Sequence, residues 1–164
     1  MKNLNIQSNS PENTSYIAKQ LAKYLTKGDI IILTGDLGSG KTKFVEGILQ
    51  YFNLQDEISS PTFNIVNEYH AEKVTIYHFD VYRLENSDEF YEIGGEEYFE
   101  KVICLIEWGE IIEDILPSNY LQIVFNKGIS ADSKRTLEFK IHGNTEKYNN
   151  ILSNLQKEEI IWKF

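Results

Sequence analysis

The residues best suited to chemistry form one continuous segment, Gly35-Asp36-Leu37-Gly38-Ser39-Gly40-Lys41-Thr42. The segment matches the pattern G-x-x-x-x-G-K-[ST], in which glycines let backbone N–H groups turn toward phosphate oxygens. Lys41 is expected to reach the β- and γ-phosphates of a nucleotide, and the Thr42 hydroxyl is expected to bind Mg²⁺. The sequence therefore predicts a phosphate-binding loop, called the P-loop below.

The residues on both sides of the P-loop have the patterns that such a loop needs. Residues 30–34 form an apolar run typical of a strand, and apolar residues recur at helical spacing between 44 and 52. A helix that begins near Gly40 would point the positive end of its dipole at the phosphates. The order of strand, loop and helix argues against a chance glycine-rich turn.

The remaining elements are predicted from caps, periodicity and turn residues. A helix should begin at Ser10-Pro11-Glu12 and end at Gly28. Strands are predicted at 62–69 and 74–79 as an antiparallel hairpin, at 102–106 as a central parallel strand, and at 121–125 and 136–141. Short helices are predicted on both sides of Gly94-Gly95 and at 111–116, and a last helix at 144–159. The prediction is a single three-layer P-loop NTPase-like α/β domain over residues 1–164, with a mixed, mostly parallel central sheet.

Composition narrows the class of protein further. The net charge of −9 argues against a broad nucleic-acid surface, which usually needs a basic face. Cys104 is the one cysteine, and it lies in an apolar run, so we expect a buried residue and no disulfide. The N-terminus lacks the apolar core of a signal peptide, and no apolar run is long enough to cross a membrane. These features favour a cytoplasmic protein without a membrane partner.

Two acidic residues are candidates for the second half of the site. Glu107 follows the strand predicted at 102–106, and Asp80 follows the strand predicted at 74–79. Because parallel sheets gather ligands at the carboxyl ends of their strands, either acid could hold Mg²⁺ or orient a water molecule. The alternative for each is an ordinary carboxylate that faces solvent.

For other candidate site residues, the sequence alone allows two or more roles. Thr62, in a polar turn, is either a sensor of the γ-phosphate or a plain turn residue. Arg83 could act as an arginine finger, contact a partner, or form a weak surface ion pair with Glu85 or Asp88. Trp108 could cover the nucleotide, lie at an interface, or pack in the core. For His78 we favour a packed, hydrogen-bonded role over proton transfer.

Four of these segments together resemble the TsaE (YjeE) family, bacterial ATPases needed for threonylcarbamoyladenosine modification of tRNA. They are the P-loop, Ser60-Pro61-Thr62-Phe63, His78-Phe79-Asp80-Val81-Tyr82-Arg83-Leu84 and Leu105-Ile106-Glu107-Trp108. The resemblance covers roughly residues 8–142. Ser39 departs from it, because alanine is usual there, and residues 153–164 match poorly; their apolar end could pack on the domain or form a contact patch.

The resemblance implies roles for single residues. Gly38, Gly40 and Lys41 would hold the phosphates of ATP, and Thr42 and Glu107 would bind Mg²⁺. The second acid of the family, here Asp80, would lie near the attacking water or the metal, and Thr62 would be the switch residue. Tyr82, Arg83 and Trp108 match positions near the nucleotide and the partner interface. No adenine-reading residue follows from the family; Arg135 is a weak candidate at the edge of a late strand.

The resemblance also implies partners. The family acts on TsaD and TsaB, and tRNA is held mainly by those subunits. We therefore expect a slow Mg²⁺-dependent ATPase that works with TsaD-like and TsaB-like proteins. No [NT]-K-x-D guanine-reading motif follows the P-loop, which favours ATP over GTP. The alternatives are a small-molecule or nucleoside kinase, which would need an acceptor pocket, and a non-catalytic nucleotide-dependent interaction module.

Overall fold

The computed structural model describes residues 3–55, 65–128 and 134–162. Its centre is a seven-stranded sheet in the order β1-β7-β6-β2-β5-β4-β3. The strands are β1 (Asn3–Ser8), β2 (Ile30–Thr34), β3 (Val66–His70), β4 (Thr75–Asp80), β5 (Ile103–Glu107), β6 (Tyr120–Lys127) and β7 (Arg135–His142). The helices are α1 (Pro11–Ala22), α2 (Lys41–Tyr51), α3 (Ser87–Glu92) and α4 (Glu146–Trp162), with 3₁₀ helices at Gly95–Tyr98 and Gly109–Ile115.

The strand directions confirm the predicted mixed α/β sheet. The adjacent strands β6, β2, β5 and β4 run parallel to one another. β7 is antiparallel to β6, and β1 is antiparallel to β7, so β1 runs in the direction of the central four. β3 forms the predicted antiparallel hairpin with β4. Five of the seven strands therefore point the same way, and the sheet is mostly parallel in direction.

Two apolar clusters cover the two faces of the sheet and explain its three layers. α1, α2 and α4 pack on one face, which we call the P-loop-helix face, and α3 and the 3₁₀ helices pack on the other. In β5, Ile103 and Leu105 join the first cluster, and Cys104 and Ile106 join the second. This division confirms that the continuous apolar run belongs to a central strand buried on both sides.

The start of α1 agrees with its predicted cap, but its end does not. The Ser10 side chain accepts a hydrogen bond from Asn13 N at 3.0 Å, and Pro11 is the first helical residue. The prediction that Gly28 ends the helix is wrong, because α1 ends at Ala22. Leu25 is buried after the helix has ended, so the apolar spacing continues past the helix.

β1 is an element that the sequence analysis did not predict. Its residues alternate between exposed and buried, with Leu4, Ile6 and Ser8 inward, and it pairs with β7 at the sheet edge. The other strands lie near their predicted positions, with boundary shifts of a few residues. The prediction for residues 62–64 lies outside the described residues, as does the one for the side chains of the apolar tail, 160–164.

A buried carboxylate joins α4 to the beginning of β2. Asp29 Oδ1 accepts a hydrogen bond from Tyr148 Oη at 3.1 Å, and Asp29 Oδ2 pairs with Lys147 Nζ at 2.6 Å. Asp29 Oδ2 also accepts from Thr26 N at 2.8 Å. Because every buried charge needs such partners, the cluster fixes α4 at the end of β2 opposite the P-loop.

Candidate functional site

The P-loop connects β2 to α2, as the sequence predicts, and its glycines take the conformations that the turn requires. Gly38 and Gly40 have φ values of +78° and +109°, a region that glycine enters without steric cost. Ser39 N donates to Asp36 O at 3.1 Å, which closes the tip of the loop. Within the described residues, no side chain caps the first turn of α2, so its amide groups suit an anion.

Gly35 is required for a different reason, the close approach of the P-loop to β6. A Cβ atom at Gly35 would lie 2.7 Å from Ser39 Oγ and 2.9 Å from Phe125 O. These distances are shorter than non-bonded atoms tolerate. Only glycine lets the loop fold back on β6 while its tip remains open to solvent, where Leu37 is 90% exposed.

Lys41 is the P-loop cation, and it is buried. Its Nζ atom donates to Gly35 O at 2.6 Å and lies 4.3 Å from the centroid of the Trp108 ring. The carbonyl oxygen and the face of the aromatic ring both stabilise the ammonium charge. Lys41 therefore already lies inside the P-loop, where it is predicted to bind the phosphates of a nucleotide.

Trp108 connects the P-loop to the ends of two strands. It adopts a left-handed conformation with φ +63°, which is uncommon for a residue other than glycine and is often found at functional sites. Its backbone N donates to Leu33 O at 3.3 Å, and its ring lies 5.2 Å from the ring of Tyr82. Trp108 thus contacts Lys41 and also packs against the second apolar cluster, and its predicted contact with a nucleotide or a partner stays a prediction.

The two candidate acids lie together at the edge of the sheet that carries the P-loop. Asp80 and Glu107 are register partners at the ends of β4 and β5, and Glu107 is in turn opposite Leu33 of β2. Asp80 is half-buried, and its Oδ1 accepts from Tyr82 N at 3.1 Å. Glu107 is only 8% exposed. The parallel strands thus bring both carboxylates to the P-loop side of the domain.

His78 holds the Glu107 carboxylate. The Nε2 atom of His78 lies 2.7 Å from Glu107 Oε2, and both side chains are buried. His78 and Asp80 are two residues apart in β4, so they are on the same face of the sheet. The predicted packed, hydrogen-bonded role of His78 is confirmed.

Two cations of the last hairpin contact the outer side of the P-loop. Lys127 Nζ donates to Leu37 O at 2.9 Å, and Arg135 Nη2 lies 3.5 Å from Gly38 O. Arg135 was a weak candidate for reading adenine from sequence; it lies beside the P-loop backbone, and its role toward adenine stays a prediction. The sequence analysis did not single out Lys127. The pattern that could have indicated it is a cationic residue at the carboxyl end of a strand that lies beside the P-loop strand.

The predictions for Arg83 and Thr62 have different outcomes. Arg83 is exposed just after β4, and within the described part of the chain it forms no ion pair with Glu85 or Asp88. The structure thus gives no support to the surface ion pair, and the roles of Arg83 as an arginine finger or a partner contact stay predictions. Thr62 lies outside the described residues, so its switch role stays a prediction.

Two polar groups that sequence patterns single out do not belong to the site. Burial raises the pKa of Cys104 to about 12, and its thiol faces the layer opposite the P-loop helix, so it is not a nucleophile at neutral pH. Residues 26–29 match [NT]-K-x-D, but they precede β2 instead of following the P-loop. Asp29 already pairs with Lys147 and Tyr148 at the opposite end of the sheet, so it cannot bind a guanine base.

The donor atoms at this edge fit Mg²⁺ only together with a nucleotide. Within the described residues, no group of three or more His, Cys, Asp or Glu side chains could hold a metal ion. Mg²⁺ commonly uses one or two carboxylates and completes its shell with water and phosphate oxygens. The Thr42 hydroxyl and the carboxylates of Asp80 and Glu107 supply oxygen ligands of that kind. No helix among the described residues is long and apolar enough to cross a membrane.

The fold and the site define a P-loop NTPase-like α/β protein. The chain belongs to the TsaE family: a family profile described as "Threonylcarbamoyl adenosine biosynthesis protein TsaE" matches residues 8–137. The chain is 38% identical over 162 residues to the tRNA threonylcarbamoyladenosine biosynthesis protein TsaE of Bacillus subtilis, covering 98% of this chain and 99% of that protein. The Rickettsia conorii protein of that name is 46% identical over 116 residues, covering 70% of this chain and 66% of that protein. The crystal structure of Bacillus subtilis YdiB matches with a TM-score of 0.76 and 34% identity, covering 96% of this chain and 97% of that one.

Proposed function

We propose that this protein is a Mg²⁺-dependent ATPase required for N6-threonylcarbamoyladenosine modification of tRNA, and that it acts on a complex of TsaD-like and TsaB-like proteins. The observation that carries the proposal is the meeting of the P-loop with Asp80 and Glu107 at one edge of the sheet. A phosphate-binding loop alone only binds, whereas a loop beside two carboxylates can also catalyse phosphoryl transfer to water.

The P-loop residues bind and polarise the phosphates. Lys41 and the first amide groups of α2 stabilise the negative charge that develops as the terminal phosphoryl group leaves. To reach a phosphate, the Lys41 ammonium exchanges the Gly35 carbonyl for phosphate oxygens. Because Lys41 is buried beside Trp108, little water competes for its charge, and the interaction with a phosphate is strong.

The two carboxylates have different surroundings, and we assign them different roles. Glu107 is buried and held by His78, so it is a fixed ligand that, with the Thr42 hydroxyl, would hold Mg²⁺. The ion would neutralise charge on the phosphates when bound. Asp80 is half-buried, so it can contact solvent and orient the attacking water. The water oxygen bonds to the terminal phosphorus as the bond from that phosphorus to its bridging oxygen breaks. The water proton is released to solvent, so ATP and water give ADP, phosphate and a proton.

The surface around the site suits a protein partner. Arg83 and Tyr82 are exposed at the end of β4, and Tyr82 contacts Trp108, so a partner bound there would touch the catalytic edge directly. A site that a partner completes turns over slowly alone. The net charge of −9 suits a subunit that leaves tRNA to its partners. The names of the relatives place those proteins in the same modification pathway.

The experiment that tests the proposal is a measurement of ATP hydrolysis with Mg²⁺, for the protein alone and with TsaD-like and TsaB-like proteins added. We expect weak hydrolysis by the protein alone, and a changed rate that is coupled to tRNA modification with the partners present. A rate of ATP hydrolysis that does not change when the partners are added, with no complex formed, would contradict the proposal. Transfer of phosphate to a small acceptor instead of water would indicate a kinase.

A further inference from the structure

The buried pair of His78 and Glu107 is the feature from which we go beyond the proposed function. The His78 side chain is 5% exposed and the Glu107 side chain 10% exposed, and the atoms Nε2 and Oε2 are 2.7 Å apart. A carboxylate can only accept a hydrogen bond, so the proton of this bond belongs to Nε2. Burial of an unpaired carboxylate would be strongly unfavourable, which makes this one contact important for Glu107.

The contact uses one of the two carboxylate oxygens of Glu107 and one of the two ring nitrogens of His78. Within the described residues, Glu107 Oε1 has no hydrogen bond, and the buried Nδ1 atom of His78 has none either. The imidazole therefore contributes one defined interaction, a donor placed at Oε2. A residue that only filled space would not need that donor, and replacing His78 alone by a hydrophobic residue would leave the buried carboxylate of Glu107 without this partner.

We propose that His78 is a positioning residue: by holding Oε2 of Glu107, it fixes the carboxylate so that Oε1 remains for Mg²⁺. This inference rests on the proposed function, because it assigns a role within the Mg·ATP site. Partners of metal-binding carboxylates orient the ligand, and their loss typically weakens metal binding without removing a ligand. His78 lies in β4 on the face that carries Asp80, so one strand would supply both the water-orienting acid and the support for the metal ligand.

Two amide substitutions separate the positioning role from a packing role. In His78→Gln the amide nitrogen can occupy the position of Nε2, whereas in His78→Asn the shorter side chain reaches only the position of Nδ1. His78→Gln has no polar atom at the position of Nδ1. Because Nδ1 has no partner among the described residues, this loss should have little effect on the position of Glu107. The two variants introduce the same polar group, so a difference between them reports the donor to Glu107 and not polarity.

The expected results concern the metal. The Mg²⁺ concentration for half-maximal hydrolysis should stay within about threefold of wild type in His78→Gln and rise about tenfold or more in His78→Asn. Binding of Mn²⁺ in the presence of a non-hydrolysable ATP analogue, followed by electron paramagnetic resonance, should weaken by the same factor. ATP binding with EDTA present should be unchanged in both variants, because the P-loop is intact. His70→Gln, an exposed histidine that is 65% accessible, is the matched control and should behave as wild type.

The outcomes distinguish failure of this inference from failure of the proposed function. If wild type binds Mn²⁺ with the analogue and His78→Asn binds it equally well, the positioning role is wrong. If His78→Asn loses thermal stability and metal-free ATP binding together, with unchanged metal affinity, His78 is only structural. If wild type shows no metal-dependent binding of ATP at all, the proposed function itself is wrong.

Discussion

The Lys41 ammonium lies 4.3 Å from the centroid of the Trp108 ring, so the cation of the P-loop contacts the residue that follows Glu107. This contact joins the two halves of the site, which belong to different strands and are far apart in sequence. A cation over an indole face stabilises both groups, and it also changes the environment of the indole. Any ligand that attracts Lys41 must therefore alter Trp108.

This contact predicts an optical signal for nucleotide binding. The chain has two tryptophans, so Trp162→Phe leaves Trp108 as the only one. When ATP or ADP binds, the ammonium turns from the ring toward phosphate, and we expect the intensity of Trp108 fluorescence to change in a saturable way. A titration of the Trp162→Phe protein with nucleotide measures this effect and the dissociation constant together.

Lys41→Ala in the same background is the control for that signal. The variant should have altered fluorescence before any ligand is added, because the cation is gone, and no further change on addition of ATP. A full nucleotide response in the absence of the Lys41 side chain would show that the signal does not arise from this contact.

Substitutions of Lys41 and of Asp80 should separate ATP binding from ATP hydrolysis. Lys41→Ala removes the buried cation beside the phosphates, so tight ATP binding should be lost. Asp80→Ala leaves the P-loop intact, so ATP binding should be retained within a few-fold while hydrolysis falls about 10²-fold or more. Binding by calorimetry and release of phosphate measure the two effects separately. Unchanged turnover in Asp80→Ala would exclude Asp80 as the residue that orients water.

The sequence predicted the elements whose signals are local. The motif from Gly35 to Thr42 has a fixed spacing between a β-strand and a helix, and the structure has it there. The apolar run before Glu107 indicated a strand buried on both faces, and β5 is one. Because the carboxyl ends of parallel strands lie at one edge of a sheet, these predictions, together with the strand predicted before Asp80, were enough to expect Glu107 and Asp80 at the P-loop edge.

The features that were missed depend on pairing across the sheet. β1 has only a short alternating pattern, and its stability comes from its partner β7, which follows it by more than a hundred residues. The contact of Lys127 with Leu37 O depends on β6 lying beside β2, an order that no local pattern contains. The partner of His78 was likewise not predictable, because register between β4 and β5 decides it.

At Gly40 of the P-loop, a substitution by alanine should test backbone strain and not a steric clash. Its φ is +109°, while the nearest atoms of the described residues to a Cβ placed on its backbone would be 3.8 Å away or more. Gly40→Ala should therefore lower the free energy of unfolding by about 1–2 kcal/mol, the cost of a left-handed conformation for a residue with a Cβ. ATP affinity should fall as well, because Gly40 precedes the first amide groups of α2.

Gly128→Ala is the matched control for Gly40→Ala. Among the described residues, the nearest atom to a Cβ placed on Gly128 would be Lys134 O at 3.6 Å, and the Gly128 backbone is not in the left-handed region. Urea unfolding and nucleotide titration of both variants compare the same change of side chain. Equal stability of the two variants would mean that the P-loop relaxes to another conformation at no cost.

Cys104 should make the stability of the protein fall at alkaline pH. The thiol has an ordinary pKa of 9.0, and burial raises the pKa of folded Cys104 to about 12. Above pH 9 the unfolded chain loses the thiol proton while the folded chain keeps it, so the free energy of unfolding decreases as pH rises. This contribution is complete below pH 9 and is lost progressively toward pH 12. By pH 10 the loss should be about 1.4 kcal/mol.

Cys104→Ala isolates this effect from other groups that titrate in the same range. Tyr77, for example, has a pKa raised by burial to about 12, but it is present in both proteins and its contribution cancels in their difference. The variant should be less stable than wild type at pH 7, because a buried side chain is shortened, and the difference should shrink by about 1.4 kcal/mol at pH 10. Urea unfolding at both pH values measures it. A constant difference would mean that the buried thiol ionises as readily in the folded protein as in the unfolded chain.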